Sequence, residues 1–215
     1  MPALRRRADP SADGRSAAHA TKLVIYGRDG ILNEYREDHV KAPDEWLPLP
    51  GALEAVARLN HAGWHAVVAT NQAGIGRGLI DMATLNAVHA HMNRLAAEAG
   101  GRIDAVFFCP HAPEEDCDCR KPLPGMMRDI GRRWNVDLAH VPMVCDTLRD
   151  LQAAQAAGCP PHLVLSGRAA HMNEAVLQHC LAAVPSTTLH ESLQAFAEHL
   201  LRGSAQADSM SGKLL

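Results

Sequence analysis

The chain has 215 residues, 47% of them hydrophobic and 21% charged, with a formal net charge of -3. That length suits one well-buried domain, and the near-neutral charge argues against a nucleic-acid or anionic-membrane surface as the main partner. No apolar run reaches the roughly 20 residues that a membrane helix needs, and with aromatic residues at only 4% the core must be aliphatic.

The first 20 residues, MPALRRRADPSADGRSAAHA, lack the apolar segment of a secretory signal. They read as a disordered tail, and the chain as cytoplasmic. An ordered domain is expected over 21–202 and a disordered polar tail over 203–215. The apolar run 22–26 ends in a Gly-containing turn and reads as a buried strand. Leu53, Val56, Ala57 and Leu59 predict a helix over 51–62, stopped by Gly63. A second strand is expected at 65–69. Over 81–99 the apolar residues fall at spacings of three and four, with Asp81 as N-cap, which predicts a helix. A third strand at 104–108 leads into a loop of Pro, Cys and charged residues. A helix at 125–134, a strand at 141–145, a helix at 148–157 stopped by Gly158, a strand at 162–165 and a helix around 191–202 complete the pattern. Strands alternating with helices imply right-handed crossovers. The fold class is therefore α/β, a three-layer sandwich with a central parallel sheet, whose ligands bind beyond the carboxyl ends of the strands.

Three of the six cysteines crowd beside a histidine as Cys109-x-His111, five residues, then Cys117-x-Cys119. Without a secretory signal this clustering reads as metal binding rather than disulfides. Two close pairs of ligands from one loop suit tetrahedral zinc, and four protein ligands leave no open position, so a structural zinc that staples the loop is expected. Cys145, Cys159 and Cys180 lie in apolar or helical contexts and read as core thiols.

A second group joins Gly27-Arg28-Asp29-Gly30 after the first strand, Thr70-Asn71-Gln72 at the end of the second, Arg120-Lys121-Pro122 where the chain leaves the cysteine loop, and Asp146-x-x-x-Asp150 at the end of the fourth. Singly, each has a bland reading: a surface turn, a strand cap, a solvated charge, a helix N-cap. Converging at one sheet edge, hydroxyl and amide donors, a Lys and carboxylates are what a magnesium-dependent phosphate site needs.

The order of these motifs resembles the haloacid dehalogenase-like phosphatases, in the branch shared by heptose bisphosphate and histidinol-phosphate phosphatases. The segments that carry the resemblance are RDGILN (28–33), PGALEAVARL (50–59), ATNQAGIGRG (69–78), CPHAPEEDCDCRKPLPGM (109–126) and DTLRDLQAA (146–154). Arg77 and the run Pro124-Gly125-Met126 favour the heptose side. The resemblance implies removal of the 7-phosphate of a heptose 1,7-bisphosphate in lipopolysaccharide core precursor synthesis, by a monomer whose partner is a small sugar phosphate. It implies Asp29 as general acid/base, Thr70 and Lys121 as holders of the phosphoryl group, and Asn71, Arg77 and Arg120 as substrate contacts, with residues 35–38 near the sugar. It implies Asp29 and Asp146 as magnesium ligands, and Cys109, His111, Cys117 and Cys119 as zinc ligands.

One departure outweighs these matches. The family pattern is Asp-x-Asp-Gly-Thr/Val, and here it is Gly27-Arg28-Asp29-Gly30-Ile31. The missing carboxylate is the one that attacks phosphorus and also ligates magnesium. Hydrolysis is therefore expected to be absent or strongly impaired and magnesium binding weakened; the alternatives are a non-catalytic sugar-phosphate-binding or regulatory paralogue and, within the enzyme class, a histidinol-phosphate phosphatase. A single-base change would also turn common Asp codons into Gly ones. Cys145, where a Gly is usual, is expected to crowd the site.

Overall fold

A computed structural model describes residues 21–211. Six parallel strands form one sheet in the order β3-β2-β1-β4-β5-β6. They are β1 (Leu23–Tyr26), β2 (His65–Asn71), β3 (Ala105–Cys109), β4 (Met143–Cys145), β5 (Pro161–Val164) and β6 (Thr188–His190). The helices are α1 (Ala52–His61), α2 (Ala73–Gly76), α3 (Met82–Glu98), α4 (Gly125–Trp134), α5 (Leu148–Ala157), α6 (Glu174–Ala183) and α7 (Leu193–Ser211).

The layers follow from strand alternation. In β1, Val24 and Tyr26 point to one face, where they meet Leu53, Val56 and Leu59 of α1, Val88 and Met92 of α3, and Phe196 of α7. Leu23 and Ile25 point to the other, against Met127 and Ile130 of α4, Leu151 and Ala154 of α5, and Cys180 of α6. All four residues of β1 are buried, as a central parallel strand requires.

Capping sets the helix ends as the sequence predicts. The Asp81 carboxylate accepts from the backbone N–H of Thr84 at 2.7 Å, and α5 ends at Gly158 with φ of 85°. The described helices include none long and apolar enough to cross a membrane. Three elements were not expected from the sequence: α2, α6 and β6. The last helix also runs on to Ser211, past the expected boundary at 202, so the start of the 203–215 segment is helical rather than a disordered tail. The expected tail at 1–20 lies outside the described residues.

The strand order reverses direction between β1 and β4, and a crevice opens there at the carboxyl ends. Gly27, directly after β1, donates its N–H to the Val144 carbonyl at 3.1 Å, which fixes it at the bottom of that crevice.

Candidate active site

The crevice is a cavity of about 250 Å³. Gly27, Arg28 and Asp29 form its floor, Thr70 and Asn71 come from the end of β2, and Arg77 follows α2. Arg120 and Lys121 enter from the cysteine loop, Arg149 and Asp150 from the start of α5, and Arg168 from the loop after β5. Tyr35, Arg36 and Glu37 form part of the rim, whereas Asp38 faces Lys41 instead, at 2.8 Å.

Asp29 is heavily committed. Its carboxylate accepts from the Arg28 guanidinium at 2.9 and 3.0 Å, from Asn33 Nδ2 at 3.0 Å and from Gln72 Nε2 at 3.0 Å. Burial alone would raise its pKa, but the Arg28 charge and these hydrogen bonds outweigh it and lower it. Arg28, itself buried, is backed by His89 Nε2 at 3.3 Å. Burial, with the Arg28 charge second, lowers His89 to about 4, so the ring is neutral and accepts from the guanidinium.

Lys121 is positioned from three sides. Its ammonium donates to the Ala69 carbonyl at 2.9 Å and pairs with Asp150 at 2.8 Å. Its backbone is clamped by Asn71, whose amide donates to the Lys121 carbonyl at 3.1 Å and accepts from the Lys121 N–H at 3.2 Å. An ammonium has three donors, so one remains for a ligand oxygen. The Thr70 hydroxyl accepts from Gln72 Nε2 at 2.9 Å, which leaves its own proton free to donate.

Asp146 is 1% exposed and does not line the cavity. Its carboxylate is taken by Arg168, whose Nε, Nη2 and backbone N lie at 3.1, 3.1 and 3.2 Å. Burial and the neighbouring Asp150 charge raise its pKa, against the pull of Arg168. Cys145 is wholly buried in the α4–α5 core with its thiol toward the Met143 carbonyl. The expected crowding of the site is therefore not found, because the side chain preceding Asp146 alternates to the other side of the strand.

The residues present do not fit a magnesium ion. Magnesium demands oxygen ligands in near-octahedral array. Asp29 and Asp146 each already serve a guanidinium, and position 27 offers no carboxylate. Among the described residues, only one group brings three or more ligating side chains within 4.8 Å of one another, and it is Cys109, His111, Cys117 and Cys119. That group does fit zinc. Ligand bonds of about 2.3 Å to sulfur and 2.0–2.1 Å to nitrogen give tetrahedral edges of about 3.8 and 3.5 Å. Cys109 Sγ lies 3.8 Å from Cys117 Sγ and 3.5 Å from His111 Nδ1, and Cys119 Sγ lies 3.3 Å from that nitrogen. The Arg120 guanidinium then donates to the His111 carbonyl at 3.2 Å, so the cluster and the cavity wall are one unit.

Sequence reasoning missed Asn33, His89, Arg149 and Arg168, and noted Gln72 and Asp150 without a role. His89, Asp150 and Arg168 act through partners that only the assembled fold brings close, namely Arg28, Lys121 and Asp146.

A six-stranded parallel sheet of this order, with its polar groups at the β1–β4 crevice and a Cys/His loop beside them, defines a haloacid dehalogenase-like phosphatase domain. Residues 118–194 match the HAD-hydrolase-like family model. The chain is 54% identical over 181 residues to the D-glycero-beta-D-manno-heptose-1,7-bisphosphate 7-phosphatase of Bordetella bronchiseptica, covering 84% of this chain and 98% of that one. It is 43% identical to the enzyme of the same name from Neisseria meningitidis serogroup A, covering 87% and 100%. The crystal structure of the B. bronchiseptica D,D-heptose 1,7-bisphosphate phosphatase complexed with magnesium and phosphate superposes with a TM-score of 0.79 at 53% identity, over 85% and 99% of the two chains. The chain belongs to the D-glycero-beta-D-manno-heptose-1,7-bisphosphate 7-phosphatase family.

Proposed function

We propose that this protein binds a heptose 1,7-bisphosphate by its 7-phosphate end and hydrolyses it slowly or not at all. The observation that carries the reading is Gly27 on the floor of a cavity whose other phosphate-directed side chains survive. In this reading Thr70 and Lys121 hold the phosphoryl oxygens. Arg77 and Arg120 take the rest of the ligand, beneath a rim of Tyr35, Arg36 and Glu37. Asp29 faces the leaving oxygen. No side chain stands at position 27 to attack phosphorus, and Asp29, held deprotonated by Arg28, is a poor proton donor. Loss of the position-27 carboxylate also removes a magnesium ligand, so any hold on that ion is weakened. The four cysteine-loop ligands serve as a structural zinc site.

The test compares the protein of this sequence with Gly27→Asp, using heptose 1,7-bisphosphate with magnesium supplied. The unsubstituted chain is expected to show a ligand-induced rise in melting temperature with negligible phosphate release. Gly27→Asp is expected to raise release on the order of a thousandfold or more, the scale on which a missing covalent nucleophile acts. Turnover by the unsubstituted chain comparable to that of the variant would overturn the reading.

A further inference from the structure

Three carboxylates in or behind the crevice each have their own cation: Asp29 has Arg28, Asp150 has Lys121, and Asp146 has Arg168, which leaves Glu37 on the rim as the one lining carboxylate without an ion pair among the described residues. The charges of the three pairs cancel without an added ion. Three more guanidinium groups, Arg77, Arg120 and Arg149, line the cavity and make no salt bridge among the described residues. The Arg149 Nε is buried without a hydrogen-bond partner. The cavity therefore carries a positive excess suited to a phosphomonoester, whose charge near pH 7 is about -1.5 to -2.

Arg168 is the unusual member, because it is anchored from several directions. Its side chain makes a two-point pair with Asp146, and its guanidinium carbon sits 4.3 Å from the centre of the Tyr35 ring. The loop that carries it cannot retreat. Gly167 has φ of 51°, and a Cβ there would run into the Gly30 backbone. The Ser166 hydroxyl donates to the Gly30 carbonyl at 2.8 Å. A divalent ion approaching Asp146 would have to displace a guanidinium held by these contacts, with no carboxylate at position 27 to share the coordination.

We propose that Arg168 takes over the charge role of a divalent cation in this site, so that the cavity binds a phosphomonoester without magnesium. The proposal rests on the sugar-phosphate reading of the same cavity. Positive charge on Asp146 is then permanent and does not depend on metal supply. Asp146 stays masked while position 27 lacks a carboxylate, and Arg168, which lines the cavity, supplies the charge toward the ligand.

Calorimetric titration with inorganic phosphate and with heptose 1,7-bisphosphate, in excess EDTA and in millimolar magnesium, tests this directly. Equal affinity in the two conditions is expected. Arg168→Gln should weaken binding in EDTA by about tenfold or more, as loss of a charge-assisted contact does, and magnesium should recover part of that loss. A second readout does not depend on that variant folding. Manganese electron paramagnetic resonance should find no stoichiometric ion on the unsubstituted protein and should find one on Gly27→Asp. Binding that requires magnesium, or tight manganese on the unsubstituted chain, overturns the proposal and leaves the sugar-phosphate reading standing. No binding of the bisphosphate in either condition overturns both.

Discussion

At Gly27 the backbone is not left-handed, and a Cβ built there would meet Ile31 Cγ1 at 3.1 Å and the Val144 carbonyl at 3.6 Å. An aspartate therefore needs only a shift of a few tenths of an ångström from one flexible side chain. Overpacking of this kind costs roughly 1–3 kcal/mol. Gly27→Asp is expected to unfold at lower urea than the unsubstituted chain, and adding Ile31→Val should recover part of the difference by trimming the neighbour. Identical midpoints for the single and double variants would show that Ile31 does not constrain the site. The Lys121–Asp150 pair has side chains only 5% and 4% exposed, and breaking a buried pair from one side costs about 3–5 kcal/mol. Lys121→Met should therefore destabilise the fold by that order in urea titration as well as abolish phosphate binding. Burial alone would raise the Asp150 pKa, but the Lys121 charge and the hydrogen bonds from Lys121 and Thr147 outweigh it and lower it. Its contribution is thus present above the ordinary carboxylate pKa and lost as pH falls through the lowered one.

Between β3 and α4 the chain has no regular structure of its own, yet it carries Arg120 and Lys121 into the cavity. The Cys/His cluster is what can order it. Cys119→Ser is expected to lose zinc in elemental analysis, to lower the melting temperature, and to weaken phosphate binding, because the two cations directly follow the ligand. Normal phosphate affinity in a zinc-free variant would uncouple loop from cavity. The elements that sequence periodicity reveals are those with a clear buried face, such as α1 with Leu53, Val56 and Leu59. Those it hides have little or none. In α6 only Cys180 is fully buried, and β6 is a three-residue edge strand with Thr188 and Leu189 exposed, so neither shows a period. The short α2 is one turn, too brief for any pattern.

Across the whole molecule, the site legible in the sequence is the set of residues that follow strand ends, since parallel topology dictates where those ends converge. Asp29 and Thr70 stand out that way, and Lys121 stands out by its place directly after the cysteine loop. Asp146's commitment to Arg168 and Arg28's to His89 were not, because those partners lie 22 and 61 residues apart and meet only once the sheet is assembled. The same holds at the far edge of the sheet, where His162 Nδ1 lies 2.9 Å from His190 Nε2 against Phe196 of α7. Burial, then the neighbouring imidazoles, lower His162 to about 3, and burial and His199 lower His190 to about 4. Both rings stay neutral in the folded chain but charge in the unfolded chain below the ordinary value of 6.5. The unfolded state then binds more protons, and stability falls as pH drops from about 6.5 toward 4. Urea midpoints at pH 7 and pH 5 should differ, and His162→Gln should shrink that difference. An unchanged difference in that variant would show that the histidines do not govern the acid limb. Finally, in the proposed reading a floor with glycine at its centre makes the chain a substrate trap. Soaked or co-purified bisphosphates would keep their scissile P–O bond, and mass spectrometry of what the protein retains would read out the intact ligand directly.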